Sequence, residues 1–161
     1  LSFTSGIDDT YDSYVFKFYN IHPATNGTFF QFNMSTDSGS NYNVAKTTTA
    51  FYAYHTESGS ASALTYDAGQ DLAQGTGFQN LLYAISSDND SAGSGELSIY
   101  SPSSDTFVKH FLATSNTAAT TPYTINFRYA GYGNTTSAVN AIRFQMSSGN
   151  FDGVIKLYGV S

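Results

Sequence analysis

The sequence predicts an all-β chain folded as a jelly-roll-like, two-sheet antiparallel sandwich, and three observations carry that prediction. Apolar and polar residues alternate through the short segments of the last third of the chain, Ser94 to Ser161, the period of two required of a strand with one face on a core and one in water. The composition is one of strands and turns: thirteen Tyr and thirteen Phe stand among abundant Ser, Thr, Asn and Gly, with two Met and no Trp. Turn signals recur at intervals of about 8–15 residues, which yields about eight to ten strands, the number and spacing of a sandwich. A closed barrel is the competing architecture. At 161 residues the chain reads as one domain, residues 1–161, able to bury roughly 70% of the surface its unfolded form exposes.

In chain order, residues 1–4 open as a strand and residues 5–10 form a turn-rich link. Residues 13–20 are an aromatic strand with Lys17 on its wet face. His22-Pro23-Ala24-Thr25-Asn26-Gly27 reads as a turn, because Asn-Gly readily supplies positive φ. Residues 28–35 are therefore expected to pair back onto residues 13–20. A loop at 37–41 leads to a strand at 50–55. From 56 to 81 the alternation weakens into Gly, Ser, Ala and Gln, so this stretch is the expected long excursion and the only place suited to a helical turn. Strands are expected at 81–85, 95–100, 106–112, 123–132, 141–146 and 154–158, with a break at 86–94. No repeat of fixed period and no linker-like segment interrupts the series.

The formal charge is −6 and the isoelectric point about 4.6. Phosphate recognition rests on clustered Lys and Arg, and the six basic residues, Lys17, Lys46, Lys109, Arg128, Arg143 and Lys156, are scattered along the chain. Neither a polyanion in general nor nucleic acid in particular is an expected partner. Charged residues make up only 11% of the chain, so hydroxyl and amide side chains must supply its solubility and would suit polar, hydrogen-bonding partners. Without cysteine there is no disulfide framework and no thiolate metal site. No stretch approaches the roughly 20 apolar residues of a membrane-spanning helix, and no basic-then-apolar secretion signal is present, so membrane insertion is not expected. A chain that opens on Leu1 directly into a strand reads as a processed product or as part of something longer.

Several groups invite a chemical reading. Asp88, Asp90 and Glu96 bracket a Gly-rich loop with the oxygen chemistry of a Ca²⁺ site, yet Ala92 stands where the twelve-residue calcium loop needs an oxygen ligand, and Asp, Asn and Gly are what turns select. The cluster Asp8-Asp9-Thr10-Tyr11-Asp12 reads the same way. His22, His55 and His110 lie far apart in three contexts and read as ordinary turn and surface histidines; on a trimer axis, one from each subunit could meet. No metal and no cofactor is expected. Of the twelve acids only Glu57 and Glu96 are glutamates, and neither has the context of a glycosidase carboxylate. There is no nucleophile elbow, phosphate loop or zinc-protease helix, so no catalytic residue is assigned. Asn26, Asn33, Asn89 and Asn134 begin Asn-x-Ser/Thr triplets, which a Ser/Thr-rich chain produces by chance. Tyrosines flanked by Gly and Asn are more informative, because an aromatic face can cover the C–H groups of a sugar while amides take its hydroxyls. Tyr42, Tyr129, Tyr132 and Asn134 are the candidate ligand-binding residues on that ground, with burial in a core or subunit interface as the competing role for the tyrosines.

Segments spread over nearly the whole chain resemble a module of virion proteins of tailed bacteriophages, especially marine ones. They include residues 3–8 (Phe-Thr-Ser-Gly-Ile-Asp), 21–25 (Ile-His-Pro-Ala-Thr), 39–44 (Gly-Ser-Asn-Tyr-Asn-Val) and 71–76 (Asp-Leu-Ala-Gln-Gly-Thr). Further matches are Gly95-Glu96-Leu97, 101–104 (Ser-Pro-Ser-Ser), 107–111 (Phe-Val-Lys-His-Phe), 135–138 (Thr-Thr-Ser-Ala) and 146–150 (Met-Ser-Ser-Gly-Asn) leading into 155–159 (Ile-Lys-Leu-Tyr-Gly). The resemblance implies a C-terminal β-sandwich module of a fibre or decoration protein, normally with more chain before it, and it brings no catalytic residues. The expected function is then that of a non-enzymatic virion structural protein, a homotrimeric tail-fibre or appendage tip that contacts other virion proteins and a host-surface glycan. A capsid decoration or head-fibre protein is the first alternative; a carbohydrate-binding module or glycan-cleaving enzyme is the second.

Overall fold

A computed structural model describes all residues, Leu1 to Ser161. Eleven strands follow one another: β1 (Ser2–Phe3), β2 (Ser13–Pro23), β3 (Thr28–Ser35), β4 (Lys46–Thr56), β5 (Ser62–Tyr66), β6 (Gln79–Ile85), β7 (Gly93–Tyr100), β8 (Lys109–Ala118), β9 (Tyr123–Gly133), β10 (Ala141–Met146) and β11 (Phe151–Val160). They form two antiparallel sheets, a small one in the order β1-β10-β3-β6 and a large one in the order β11-β2-β7-β8-β9-β4-β5. The fold is a two-sheet antiparallel sandwich. Strands β1, β10, β3 and β6 alternate between sheets with β2, β9, β4 and β5 in jelly-roll fashion. The hairpin β7-β8 is inserted between β2 and β9, and β11 extends the far edge.

The alternation seen in the sequence becomes burial. On β2, Tyr14, Phe16 and Phe18 face inward while Lys17 and Tyr19 face water; on β9, Ile125, Phe127 and Tyr129 face inward while Thr124 and Arg128 do not. The sheets are joined by aromatic side chains. Phe16 and Phe18 of the large sheet meet Phe144 and Phe30 of the small one at 5.2 and 5.3 Å, Phe30 stacks on Phe144 at 5.6 Å, and Phe32 meets Phe111 edge-on at 5.1 Å. Ring pairs at such distances add about 0.5–1.5 kcal/mol each beyond the area they bury.

Three expectations are corrected. The turn at Asn26-Gly27 is present, with Gly27 at φ 72°, but it does not close a hairpin. Strand β2 continues through His22 to Pro23 and pairs with β11 and β7, while β3 pairs with β10 and β6. The turn carries the chain from one sheet to the other, because both strands have a buried face and the core lies between them. The excursion at 56–81 contains no helix. Its first part is β5, which pairs with β4, and its second part runs back along β4, where Lys46 and Gly75 exchange two backbone hydrogen bonds of 2.9 and 3.0 Å. Side chains anchor it: Thr48 donates to Gln79 Oε1 (2.8 Å), Gln79 Nε2 donates to the Gln70 carbonyl (2.9 Å), and Asn33 Nδ2 donates to the Tyr42 and Thr76 carbonyls. Finally, the strand expected at 106–112 begins at Lys109 and runs on to Ala118, since Ser104 Oγ accepts from the Thr106 and Phe107 amides and holds that segment in a turn.

Candidate functional site

Because the large sheet has seven strands and the small one four, β4 and β5 overhang the edge strand β6. Their inward face is open there. Tyr52 and Tyr54, two residues apart on β4, project on that side beside Tyr123 of β9, and Tyr83 of β6 faces them across the gap. With Thr56, Ala61, Thr121 and Ile125 they line a cleft of about 310 Å³. The buried Ile125 closes its floor, and behind the lining the Phe127 ring lies 5.0 Å from Tyr52, 5.3 Å from Tyr83 and 5.1 Å from Tyr129. Tyr54 lies 5.6 Å from Tyr123 and 6.1 Å from Tyr52.

The four cleft tyrosines are half-buried. Elsewhere, the hydroxyls of Tyr14 and Tyr66 hydrogen-bond to Asp8 and Asp71, but those of Tyr52, Tyr54, Tyr83 and Tyr123 find no partner in the chain. Burial pushes the Tyr52 and Tyr123 phenols above their ordinary range, and the neighbouring rings and, for Tyr52, Asp67 add to it. Tyr52 and Tyr123 therefore present neutral hydroxyls at neutral pH. Behind the floor, Tyr129 is 2% exposed and its buried hydroxyl is unpartnered. Burial raises its pKa too, with Asp67 and Tyr83 contributing. No cation lines the cleft, so its chemistry is aromatic faces plus neutral hydroxyls, the pattern that covers C–H groups and hydrogen-bonds to hydroxyls.

The residues singled out in the sequence do not form one site. Tyr129 points into the core beneath the cleft. Tyr132 lies on the opposite, outward face of the large sheet, edge-on to His110 at 6.1 Å. Tyr42 belongs to the loop before β4, where the Arg143 guanidinium covers its ring at 4.1 Å and its hydroxyl is buried without a partner. Asn134 is exposed and donates to Gln74 Oε1 at 2.7 Å. The tyrosines that do assemble had a signal in the sequence: Tyr52 and Tyr54 at i and i+2 share one face of a strand. That this face would be left uncovered had none.

The acidic loops and histidines are likewise dispersed. Glu96 lies on β7, 4.0 Å from Lys17, while Asp88 sits in the turn before it, its amide donating to Ser86 Oγ. Asp8 is a turn residue whose pKa is held low by hydrogen bonds from the Thr10 side chain and amide and from the Tyr14 hydroxyl. His22 contacts the Ser91 carbonyl through Nδ1 (2.7 Å), His55 lies near the end of β4, and His110 is beside Tyr132.

A second feature occupies the outward face of the large sheet. Exposed aromatic and aliphatic side chains, the surplus that a 16% aromatic content leaves outside a small core, collect there: Tyr19, Phe51, Tyr66, Tyr100, Leu112 and Tyr158 are each at least 40% exposed. Two adjoining hollows of about 330 and 430 Å³ share Tyr100, Leu112 and Ala130.

No known protein family, curated protein or solved structure matches the chain.

Proposed function

We propose that this chain is a non-enzymatic structural domain of a tailed-bacteriophage virion, at the tip of a tail fibre or other appendage, and that it holds a neutral sugar of a host-surface glycan. The observation that carries the binding part is the tyrosine cleft between β4, β9 and β6: four rings with unpartnered hydroxyls around a hollow the size of one or two sugar rings. Its lining contains no carboxylate, which favours binding over glycoside cleavage, where two carboxyl groups flank the scissile bond. The virion setting rests on the resemblance of the sequence segments described above. Arranged as a homotrimer, three such clefts would bind a repetitive surface together, so that effective concentration offsets weak single-site affinity.

Titration of the protein with neutral oligosaccharides from host-surface glycans, followed by tyrosine fluorescence and calorimetry, tests the site. Tyr54→Ala or Tyr83→Ala is expected to weaken binding by about tenfold, the order of one lost stacking contact, with folding unchanged by circular dichroism. Binding that survives both substitutions removes the cleft as the site. Imaging of virions with a labelled antibody tests the setting: signal at fibre ends is expected, and signal over the head would make the chain a capsid decoration protein.

A further inference from the structure

The six basic residues, scattered in sequence, are sorted by the fold into two kinds. Lys46 and Lys109 are buried. Lys46 Nζ donates to Asn33 Oδ1 (2.6 Å) and the Val44 carbonyl (2.8 Å); Lys109 Nζ donates to the carbonyls of Ser104 and Phe107 (both 2.6 Å). Arg143 is engaged by the Tyr42 ring and Ser2 Oγ. The remaining three, Lys17, Arg128 and Lys156, are exposed, and cross-strand register places all three in one row on the outward face of the large sheet. Lys156 stands opposite Lys17, Lys17 opposite Glu96, Glu96 opposite Thr114, Thr114 opposite Arg128, and Arg128 opposite Phe51. At about 4.8 Å per strand, Lys17 and Arg128 are roughly 14 Å apart.

Glu96 is the one acid in that row. Its 4.0 Å approach to Lys17, with both side chains 45% exposed, is a pairing worth little in water. The row is therefore net positive on a protein of formal charge −6. The row runs through the first of the two hollows, where Glu96, Thr114 and Arg128 line it together with Phe51 and Tyr100, and the second hollow continues from Tyr100 to Tyr132. Cations that are few and widely spaced, set among exposed rings and hydroxyls, match a polymer with one acid group per sugar or per few sugars. They do not match the dense charge of a nucleic acid. A second copy docked face to face would oppose these cations with their own counterparts.

We propose that this face binds an anionic polysaccharide laid across the strands, its carboxylates paired with Arg128 and with the Lys17–Lys156 pair, and its rings resting on Phe51 and Tyr100. The site is separate from the tyrosine cleft, which opens on the other side of the sheet and has no cation. It would give one domain a short-range, charge-assisted grip on an acidic surface layer beside the neutral-sugar contact of the cleft.

Affinity electrophoresis in gels containing polygalacturonate or alginate, with dextran as the neutral polymer, tests the proposal at two salt concentrations. Retardation is expected in both uronate gels and not in dextran, weakening as salt rises from about 50 to 300 mM through screening. The double variant Lys17→Gln/Arg128→Gln, both changes at exposed positions, is expected to lower uronate affinity by at least tenfold, while Tyr54→Ala leaves it unchanged. Equal retardation in dextran, no retardation in either uronate at low salt, or full retardation of the double variant overturns the proposal. So does sedimentation velocity showing an oligomer that the double variant dissociates, because a second copy then occupies the face. Loss of neutral-sugar binding in Tyr54→Ala together with unchanged uronate binding separates failure of the cleft from failure of this face.

Discussion

Lys46 is the residue whose placement is most costly. Its ammonium is buried with two neutral acceptors and no carboxylate, and burial lowers its pKa to about 7 from 10.5. The unfolded chain therefore holds a proton that the folded chain releases between those two values. Stability should climb with pH across that window and be level below pH 7, where both states are protonated and the desolvation penalty stands in full. Replacing Lys46 by Met removes the charge, and Asn33 Oδ1 keeps the Met34 amide as donor. Urea denaturation is expected to show Lys46→Met stabilised relative to wild type at pH 6, by about 3 to 5 kcal/mol at roughly 1.4 kcal/mol per pKa unit, with the gain shrinking toward pH 10. A difference that stays constant with pH would show that Lys46 is not the titrating group. Nothing in Ala45-Lys46-Thr47 announces a buried lysine. It follows from the neighbours that close over it, and for the same reason the sequence placed Tyr129 at a ligand when its ring is buried against Phe127.

At the scale of elements, β9 shows how a strand constrains its neighbours. Gly133 stands opposite both Lys46 and Lys109, and a methyl group there would come within 2.7 Å of Met34 Cε and 3.0 Å of Val44 Cγ1. Gly133→Ala is expected to destabilise by about 1–3 kcal/mol through overpacking, measured as a lowered urea midpoint; an unchanged midpoint would mean that Met34 moves aside freely. The strands also differ in protection. β8 is central in the large sheet, paired on both sides, whereas β5 is an exposed edge strand bonded to β4 alone. Amide exchange should be fastest in Ser62–Tyr66 and slowest around Phe111–Ser115, reflecting local opening against global unfolding; equal protection would contradict the edge assignment. The period of two made β10 and β9 readable almost to the residue. It could not say that β2 and β3 lie in different sheets, because either pairing puts Phe16, Phe18, Phe30 and Phe32 out of water, and the choice is made by non-local packing.

For the whole molecule, the unequal width of the two sheets is the decisive feature. Four strands cover part of seven, so one stretch of inward face is left open as the tyrosine cleft, and the entire outward face of the large sheet stays in water with its aromatic residues and three exposed cations. The two faces differ in electrostatics, and that is why the expected ligands differ: neutral sugar binding should be insensitive to salt, uronate binding sensitive to it. The sandwich itself rests on the inter-sheet aromatic cluster. Phe144→Ala, which empties the space between Phe16 and Phe30, should cost about 3–5 kcal/mol.

Strand periodicity and turn chemistry are local, so the all-β class, most strand positions and the side chains that face the core could be read along the chain. The tertiary structure alone decided the pairing of strands, the unequal sheets, the meeting of Tyr52, Tyr54, Tyr83 and Tyr123, and the alignment of Lys17, Arg128 and Lys156. Those residues are far apart in the chain, and only the register between strands, fixed by how the two aromatic faces pack together, brings them onto common surfaces.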